Sequence, residues 1–352
     1  MIPTHHQKIT VITVVYNAKD CIERTIESVV GQIDCDLEYI IIDGASTDGT
    51  VDIIQKYRHY LSYWVSEKDG GIYEAMNKGI NASTGDWIIF MNAGDYFCDS
   101  DTISMVIPHL TQDNDIVSGD IYLWEAGERM YTHAKGLDKA MEGMFCFHQT
   151  MFTRTALCKK YKFDTSFKIA GDYDFALKCL MNGAQFAYLS FPIANFFSGG
   201  LSYKYLMKAK IEDMFIQSKY IEPIEKIFDT PSYATLKKIN SNNNNNYYFS
   251  TLFNELVGQL SSIFATRRRV VLYGYGQIGQ FIYGLYHSQL LLTVDMSEQT
   301  RNAFDFVVHP STLKEYDCDL VLISVLGRER EIYEYLQQQC GIDPDKIATL
   351  SL

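Results

Sequence analysis

The first stretch of the chain, roughly 190 residues, alternates short apolar runs with amphipathic segments. Lys8–Val15 is a continuous, mostly β-branched run and predicts a buried strand. Ile22, Ile26, Val29 and Val30 then recur at helical spacing and stop at Gly31. Leu37–Ile42 predicts a second strand, and Val51, Ile54 and Tyr57 a second helix. Ser62–Val65 predicts a third strand, Ile72–Ile80 a helix closing near Asn81, and Asp86–Met91 a fourth strand. Strands and helices alternating at this spacing predict βαβ units and a parallel sheet covered on both faces. Further on, Asp115–Tyr131 predicts one or two strands. Asp172–Asn182 predicts a helix with Tyr173, Ala176, Leu177 and Leu180 on one face.

The pattern then changes. Tyr203–Phe228 is helical with mixed charge, and the polar run Ser241–Asn246 (SNNNNN) has nothing to bury, so it predicts a loop or linker. After another helical stretch, Thr251–Phe264, and Arg267–Arg269, the strand Val270–Tyr273 leads into GYGQIG, with more strands at Leu291–Val294 and Leu320–Val325. The expected organisation is an α/β domain over 1–232, a linker over 233–265 and a smaller Rossmann-like α/β domain over 266–352. No internal repeat is found.

Composition narrows the classes. At 352 residues, 47% hydrophobic and 14% aromatic, the chain has enough apolar material for two cores. Thirty-one Lys+Arg against 43 Asp+Glu give a net charge of −12, spread along the chain, which argues against a nucleic-acid partner. A small phosphorylated ligand needs only a local pocket and stays compatible. No apolar run is long enough for a membrane span, and the start, MIPTHHQKIT, lacks a signal-peptide core. The eight cysteines are scattered without a C-x-x-C pair, so reduced thiols in a cytoplasmic protein are expected and a cysteine zinc site is not.

In an open parallel sheet, ligands sit beyond the carboxyl ends of the strands. Four strand ends here are polar: Thr13-Val14-Val15-Tyr16-Asn17, Asp43-Gly44-Ala45-Ser46-Thr47-Asp48-Gly49-Thr50, Glu67-Lys68-Asp69-Gly70-Gly71 and Asn92-Ala93-Gly94-Asp95. Any one of them reads equally as a turn or helix cap. All four together suit a cation-friendly pocket for a nucleoside diphosphate.

TVVYN, DGASTDGT, SEKDGGIYEAMNKGI and GDWIIFMNAGD follow, in order and spacing, the motifs of the family-2 glycosyltransferases with the GT-A fold. The resemblance covers roughly residues 8 to 200 and is strongest to the subset that makes bacterial surface polysaccharides such as O-antigen and capsule. It implies that Thr13, Tyr16, Asn17, Asp43 and Ser46 hold the nucleobase and ribose. Asp69 would reach the base or sugar side of the donor, with a helix N-cap as its alternative role. The family's metal motif falls on Asn92, Gly94 and Asp95. Gly94 and Asn92 depart from the usual acids, which leaves Asp95 as the only anionic ligand for Mg²⁺ or Mn²⁺ and predicts weak metal affinity without nucleotide.

An inverting transfer also needs a base for the acceptor hydroxyl. The resemblance implies a carboxylate at a helix start, where Ala170-Gly171-Asp172-Tyr173-Asp174 stands. Asp172 aligns best, Asp174 is the alternative, and either also suits a helix N-terminus electrostatically. His148-Gln149 matches a pair that lines the acceptor or diphosphate side; a structural histidine is the competing reading. Phe197–Ser202 (FSGGLS) resembles a closing loop, and a plain turn explains its glycines as well.

Gly274-Tyr275-Gly276-Gln277-Ile278-Gly279, with Asp295 beyond it, has the dinucleotide-binding fingerprint, but the chain beyond it has room for only about half of such a fold. The expected enzyme moves a sugar from a nucleoside-diphosphate donor, a UDP-sugar, to a hydroxyl of a saccharide or lipid-linked saccharide acceptor. A lipid-linked acceptor would place it in the cytoplasm at the inner membrane face, by a peripheral contact involving Tyr203–Phe228. Homo-oligomerisation stays open. The alternatives are an NAD-dependent oxidoreductase built on Gly274–Gly279 and a non-catalytic nucleotide-sugar-binding or scaffold protein.

Overall fold

The computed structural model describes residues 7–200, 205–221, 230–232, 234–235, 258–267, 269–275, 279, 282–283, 286–325 and 328–350. The chain divides into two compact units, Met1–Asp213 and Met214–Leu352.

In the first unit, the β-branched run forms β1 (Lys8–Val15), which pairs in parallel with β2 (Asp36–Asp43) and β4 (Trp87–Phe90). β3 (Tyr63–Ser66) adds to β2, also in parallel. The crossovers are α1 (Ile22–Val30), α2 (Thr50–Lys56) and α3 (Ile72–Ala82). Ile22, Ile26 and Val29 of α1 are fully buried beside Ile9, Val11, Tyr39 and Ile41 of the strands, so the helical periodicity seen in the sequence is the core stripe. α3 packs on the other face, and Gly79 fits there because a Cβ would lie 2.5 Å from Ile12 Cγ2.

The first four strands are parallel as their alternation with helices predicts; past β4 the sheet becomes mixed. β5 (Tyr96–Phe97), β6 (Ile116–Glu125), β7 (Glu128–Thr132), β8 (Phe152–Arg154) and β9 (Phe186–Phe197) complete it in the order β3-β2-β1-β4-β8-β6-β9-β5, with β7 on β6. β8 runs antiparallel to both β4 and β6, while β6 and β9 are parallel. The region Asp115–Tyr131 resolves into the hairpin β6–β7. β9 was not anticipated: its segment carries Pro192, which weakens a strand reading, and the proline pairs where the β6–β9 register shifts beside Asp120. Helices α4 (Thr102–Val106), α5 (Thr155–Tyr161) and α6 (Gly171–Met181) complete the unit.

α7 (Leu206–Ser218) contains the division between the units. In the second unit, β10 (Val270–Tyr273), β11 (Leu290–Val294), β12 (Val307–Val308), β13 (Leu320–Ile323) and β14 (Ile347–Thr349) form an all-parallel sheet in the order β12-β11-β10-β13-β14. This is the doubly wound order of one nucleotide-binding half and its continuation. α8 (Glu298–Ala303) and α9 (Glu329–Gln338) are among its helices. The Asn-rich loop Ser241–Asn246 lies outside the described residues, as do Leu201–Ser202 of the closing loop and Gly276–Ile278 of the fingerprint. All eight cysteines are free thiols. Among the described residues no helix is long and apolar enough to cross a membrane.

Candidate active site

The carboxyl ends of β1 and β2 lie side by side, with Val15 paired to Asp43. Asp43 is fully buried, and its carboxylate accepts from Ser46 N (2.9 Å), Ser46 Oγ and Ser66 Oγ (2.6 Å). These donors compensate a buried charge that would otherwise be costly. Asp43 therefore pins the loop that follows β2, with its carboxylate turned into the protein. Ser46 Oγ in turn accepts from Asn17 N at 2.7 Å, and Asn17 Oδ1 accepts from Thr47 N at 2.9 Å. Asn17 has φ 47, a left-handed turn that asparagine tolerates well. Thr13 also works internally: it is fully buried, within 3.0 Å of Tyr39 OH, and donates to Met91 O at 2.7 Å, tying β1 to β4.

The side chains presented outward are Tyr16, 66% exposed, and Asp69. Both flank Gly44, where a Cβ would come within 3.0 Å of Asp69 Oδ2 and 3.4 Å of the Tyr16 ring. Gly44 thus keeps a gap between an aromatic face and a carboxylate, a position the motif reading passed over. Asp69 Oδ1 accepts from Gly71 N at 2.9 Å and Glu74 Oε2 from Gly70 N at 2.8 Å; α3 starts after Gly71 with no side-chain cap, so Asp69 closes the turn before the helix.

The Asn92–Asp95 turn follows β4. Gly94 (φ +107) supplies a backbone turn that other residues resist, and Thr25 of α1 fixes it by accepting from Gly94 N (3.0 Å) and donating to Asp95 O (2.8 Å). Asp95 is 8% exposed, and burial pushes its carboxyl up to about 7 against the opposing pull of His148 and Arg24. His148 Nε2 lies 3.9 Å from Asp95 Oδ2. Asn92 Oδ1 is buried without a hydrogen-bond partner, while Asn92 Nδ2 lies 3.1 Å from the same His148 nitrogen. A buried carboxyl and an amide oxygen without a hydrogen-bond partner, three residues apart in one turn, are oxygen donors of the kind a hard divalent cation takes. Among the described residues no group of three His, Cys, Asp or Glu side chains gathers to hold a metal alone.

His148 joins this turn to α6. Its Nδ1 lies 3.4 Å from Asp172 Oδ2. Burial lowers the His148 pKa, but the Asp172 and Asp95 carboxylates outweigh that and leave it raised. A tautomer protonated on Nδ1 donates to Asp172 while Nε2 accepts from Asn92, so one state serves both neighbours. Asp172 stands in the first turn of α6 with 22% of its side chain exposed, and Oδ1 accepts from Tyr173 N (2.9 Å) and Tyr73 OH (3.3 Å). Asp174 is fully buried and paired with Lys178 at 3.0 Å, whereas the Asp172 side chain keeps 22% exposure. Phe90, Met151, Phe163 and Phe175 form an apolar cleft with His148 and Asp172.

Sequence reasoning missed several supporting residues. Arg24 of α1 stacks over Tyr96 (4.5 Å) and Phe197 (4.3 Å) and donates to Gly94 O at 3.4 Å. Tyr73 donates to Ile169 O at 2.6 Å, and burial pushes its hydroxyl pKa well up, so it remains a donor. Glu212 of α7, 3% exposed, accepts from the consecutive amides of Lys168 (3.0 Å), Ile169 (2.9 Å) and Ala170 (2.8 Å) just before α6. Tyr73 lies in a motif already singled out, whereas Arg24 lies on α1, outside all of them. Glu212 sits in a helix whose sequence carries no motif, so nothing local marks it.

In the second unit, Gly274 has φ +95 after β10, as the fingerprint requires. Asp295, the acidic residue of the fingerprint just after β11, accepts from Tyr275 N and Ser297 N, both at 2.7 Å, and so links the segments that follow β10 and β11.

Comparison with known proteins agrees with this geometry. The model of glycosyl transferase family 2 matches residues 10–170. An uncharacterized glycosyltransferase of Mycobacterium tuberculosis is 31% identical over 189 residues, covering 49% of this chain and 69% of that protein. Among solved structures, S. aureus TarS 1-349 in complex with UDP-GlcNAc superposes with a TM-score of 0.51 at 17% identity, over 63% of this chain and 72% of that one. The mannosyltransferase PcManGT from Pyrobaculum calidifontis, in complex with GDP-Man and Mn2+, gives a TM-score of 0.51 at 18% identity, over 66% and 70%. The structural likenesses establish the GT-A type of fold, and with the sequence relatives they lead to one conclusion: this chain belongs to glycosyltransferase family 2 and is a sugar-transferring enzyme.

Proposed function

We propose that the protein is an inverting, metal-dependent glycosyltransferase that takes a sugar from a nucleoside diphosphate, UDP in the first instance, to a hydroxyl of a saccharide or lipid-linked saccharide in surface-polysaccharide synthesis. The observation that carries this reading is the convergence of Asp172, Asn92 and Asp95 on the two nitrogens of His148. The base and the leaving-group side are thereby set on opposite sides of one ring. Support for the donor class comes from the UDP-GlcNAc and GDP-Man held by the two structural neighbours.

In this reading the nucleobase rests between Tyr16 and Asp69 over Gly44, on the loop that Asp43, Ser46 and Asn17 hold rigid. Asp95, with Asn92 Oδ1, holds Mg²⁺ or Mn²⁺ jointly with the diphosphate. The metal, when bound, offsets charge on the departing diphosphate. Asp172 takes the proton from the acceptor hydroxyl as its oxygen bonds to the anomeric carbon and the bond to the diphosphate breaks on the opposite face. His148 and Tyr73 hold the Asp172 carboxylate in orientation. We place this machinery in residues 1–232, with 233–265 as linker and 266–352 as an accessory module. The deciding experiment is release of nucleoside diphosphate from a panel of nucleotide sugars with Mn²⁺, with product stereochemistry read by NMR; a retained anomeric configuration would overturn the inverting mechanism.

A further inference from the structure

Alternate residues of β6 have opposite surroundings. Val117, Ile121 and Leu123 belong to the main core, whereas Asp120, Tyr122 and Trp124 stand on the other face of the sheet. Tyr122 pairs with Tyr131 and Trp124 with Arg129 on β7, and Trp124 pairs with Phe197 on β9, so these side chains share that face.

The face is ordered by a buried hub. Asp120 is fully buried and accepts from Tyr188 OH (2.6 Å), Tyr131 OH (2.7 Å) and Ala134 N (3.0 Å), with His133 Nδ1 also at 3.0 Å. The two tyrosine hydroxyls therefore turn inward, yet the residues remain 50% and 42% exposed, so their ring surfaces are what the protein presents. Arg129 lies 3.6 Å over the Tyr122 ring, and among the described residues no carboxylate comes within 4.0 Å of it or of Arg24. The array continues to the reaction centre. Trp124 stacks on Phe197 at 5.6 Å, Arg24 covers Phe197, and Arg24 bonds to Gly94 O beside Asp95.

Cross-strand aromatic pairs stabilise hairpins on their own. That role requires neither a buried carboxylate that orients three rings nor, among the described residues, an exposed guanidinium stacked on a ring with no carboxylate within 4.0 Å, as at Arg129. Fixed ring faces beside planar hydrogen-bond donors match the chemistry of a pyranose, which has an apolar C–H face and a rim of hydroxyls. From Asp120 to Trp124 the strand spans roughly 13 Å, longer than one sugar ring. We propose that this face is a subsite for the acceptor saccharide chain, which runs from Asp95 past Trp124 and Tyr122 to Tyr131 and Tyr188. The inference rests on the reading of the enzyme as a transferase to saccharides, and it adds where that chain lies.

The test uses the full-length protein with chito-, malto- and galacturonic-acid oligosaccharides of graded length, followed by tryptophan fluorescence and saturation-transfer NMR. At least one series should bind with affinity that rises with length, and Trp124→Ala and Arg129→Ala should each weaken it roughly tenfold. Arg129 is exposed, so its variant should keep the wild-type melting temperature and circular dichroism, which separates lost binding from lost folding. No binding by any series, binding indifferent to length, or unchanged affinity in both variants would overturn the proposal, as would a self-association that occupies this face and vanishes in Arg129→Ala. A parallel UDP titration with Mn²⁺ keeps the two readings apart. UDP binding without saccharide binding defeats the subsite alone, whereas absent UDP binding counts against the donor reading.

Discussion

His148 Nδ1 lies 3.4 Å from Asp172 Oδ2, and this contact ties the candidate base to the turn that carries Asp95. Asp172→Asn keeps the shape but removes the proton acceptor. Transfer should fall by roughly 10²–10⁴-fold, with nucleotide affinity by calorimetry nearly unchanged. Turnover at the wild-type rate would remove Asp172 from the base role.

Asp95 carries the opposite signature, a destabilising charge. Its pKa is raised by burial to about 7, so its contribution to stability is full below the ordinary aspartate value and is lost as pH rises through about 7. Asp95→Asn should therefore stabilise the metal-free protein at pH above 8, by at most about 3–4 kcal/mol, and make little difference in acid below the ordinary value. The same variant should lose the rise in melting temperature that Mn²⁺ with UDP gives the wild type. Scanning fluorimetry at two pH values, with and without both ligands, reads all of this.

Glu38 works in the other direction. Burial pushes its carboxyl up, but bonds from Thr10 and Thr84 and the charge of Lys8 outweigh it and hold the pKa at about 2. Its contribution is present above the ordinary glutamate value and disappears as pH falls toward 2. Glu38→Gln should cost about 2–3 kcal/mol near neutrality, and urea titrations of variant and wild type should converge in acid.

Glu212 touches no reacting atom, yet three amides of residues 168–170 converge on its carboxylate two residues before Asp172. Glu212→Gln should lower kcat by roughly tenfold, the equivalent of about 1.4 kcal/mol, and leave KM for the nucleotide sugar unchanged. A matching change in both constants, with a lower melting temperature, would mark it as a purely structural cap.

The parallel half of the fold was legible because its strands are short apolar runs rich in β-branched and aromatic residues and α1 keeps a clean apolar stripe, as Ile22, Ile26 and Val29 show. Legibility failed where long-range pairing decides the outcome: Pro192 hid β9, and the direction of β8 depends on partners far away in sequence. At the candidate site, motif order points to loops at the strand ends but not to the direction of each side chain. Thr13 and Asp43 lie at the expected strand ends with their polar atoms turned into the protein, while Tyr16 and Asp69 face outward. Strand alternation alone does not settle this at a strand's last residue, where the backbone turns. Glu212 was invisible for a simpler reason, since its partners are backbone amides and leave no trace in residue type.

Gly171 opens α6 against the ring of Tyr73, and a methyl group there would fall 2.7 Å from Cε2. Tyr73 belongs to α3, the helix entered through Asp69, so the helix at the nucleotide end and the helix bearing Asp172 are keyed together at a single unsubstituted carbon. Variation in this enzyme is thereby channelled. A library randomised at position 171 should return glycine almost alone, whereas the exposed Arg129 on the β6–β7 hairpin should accept a wide range of residues.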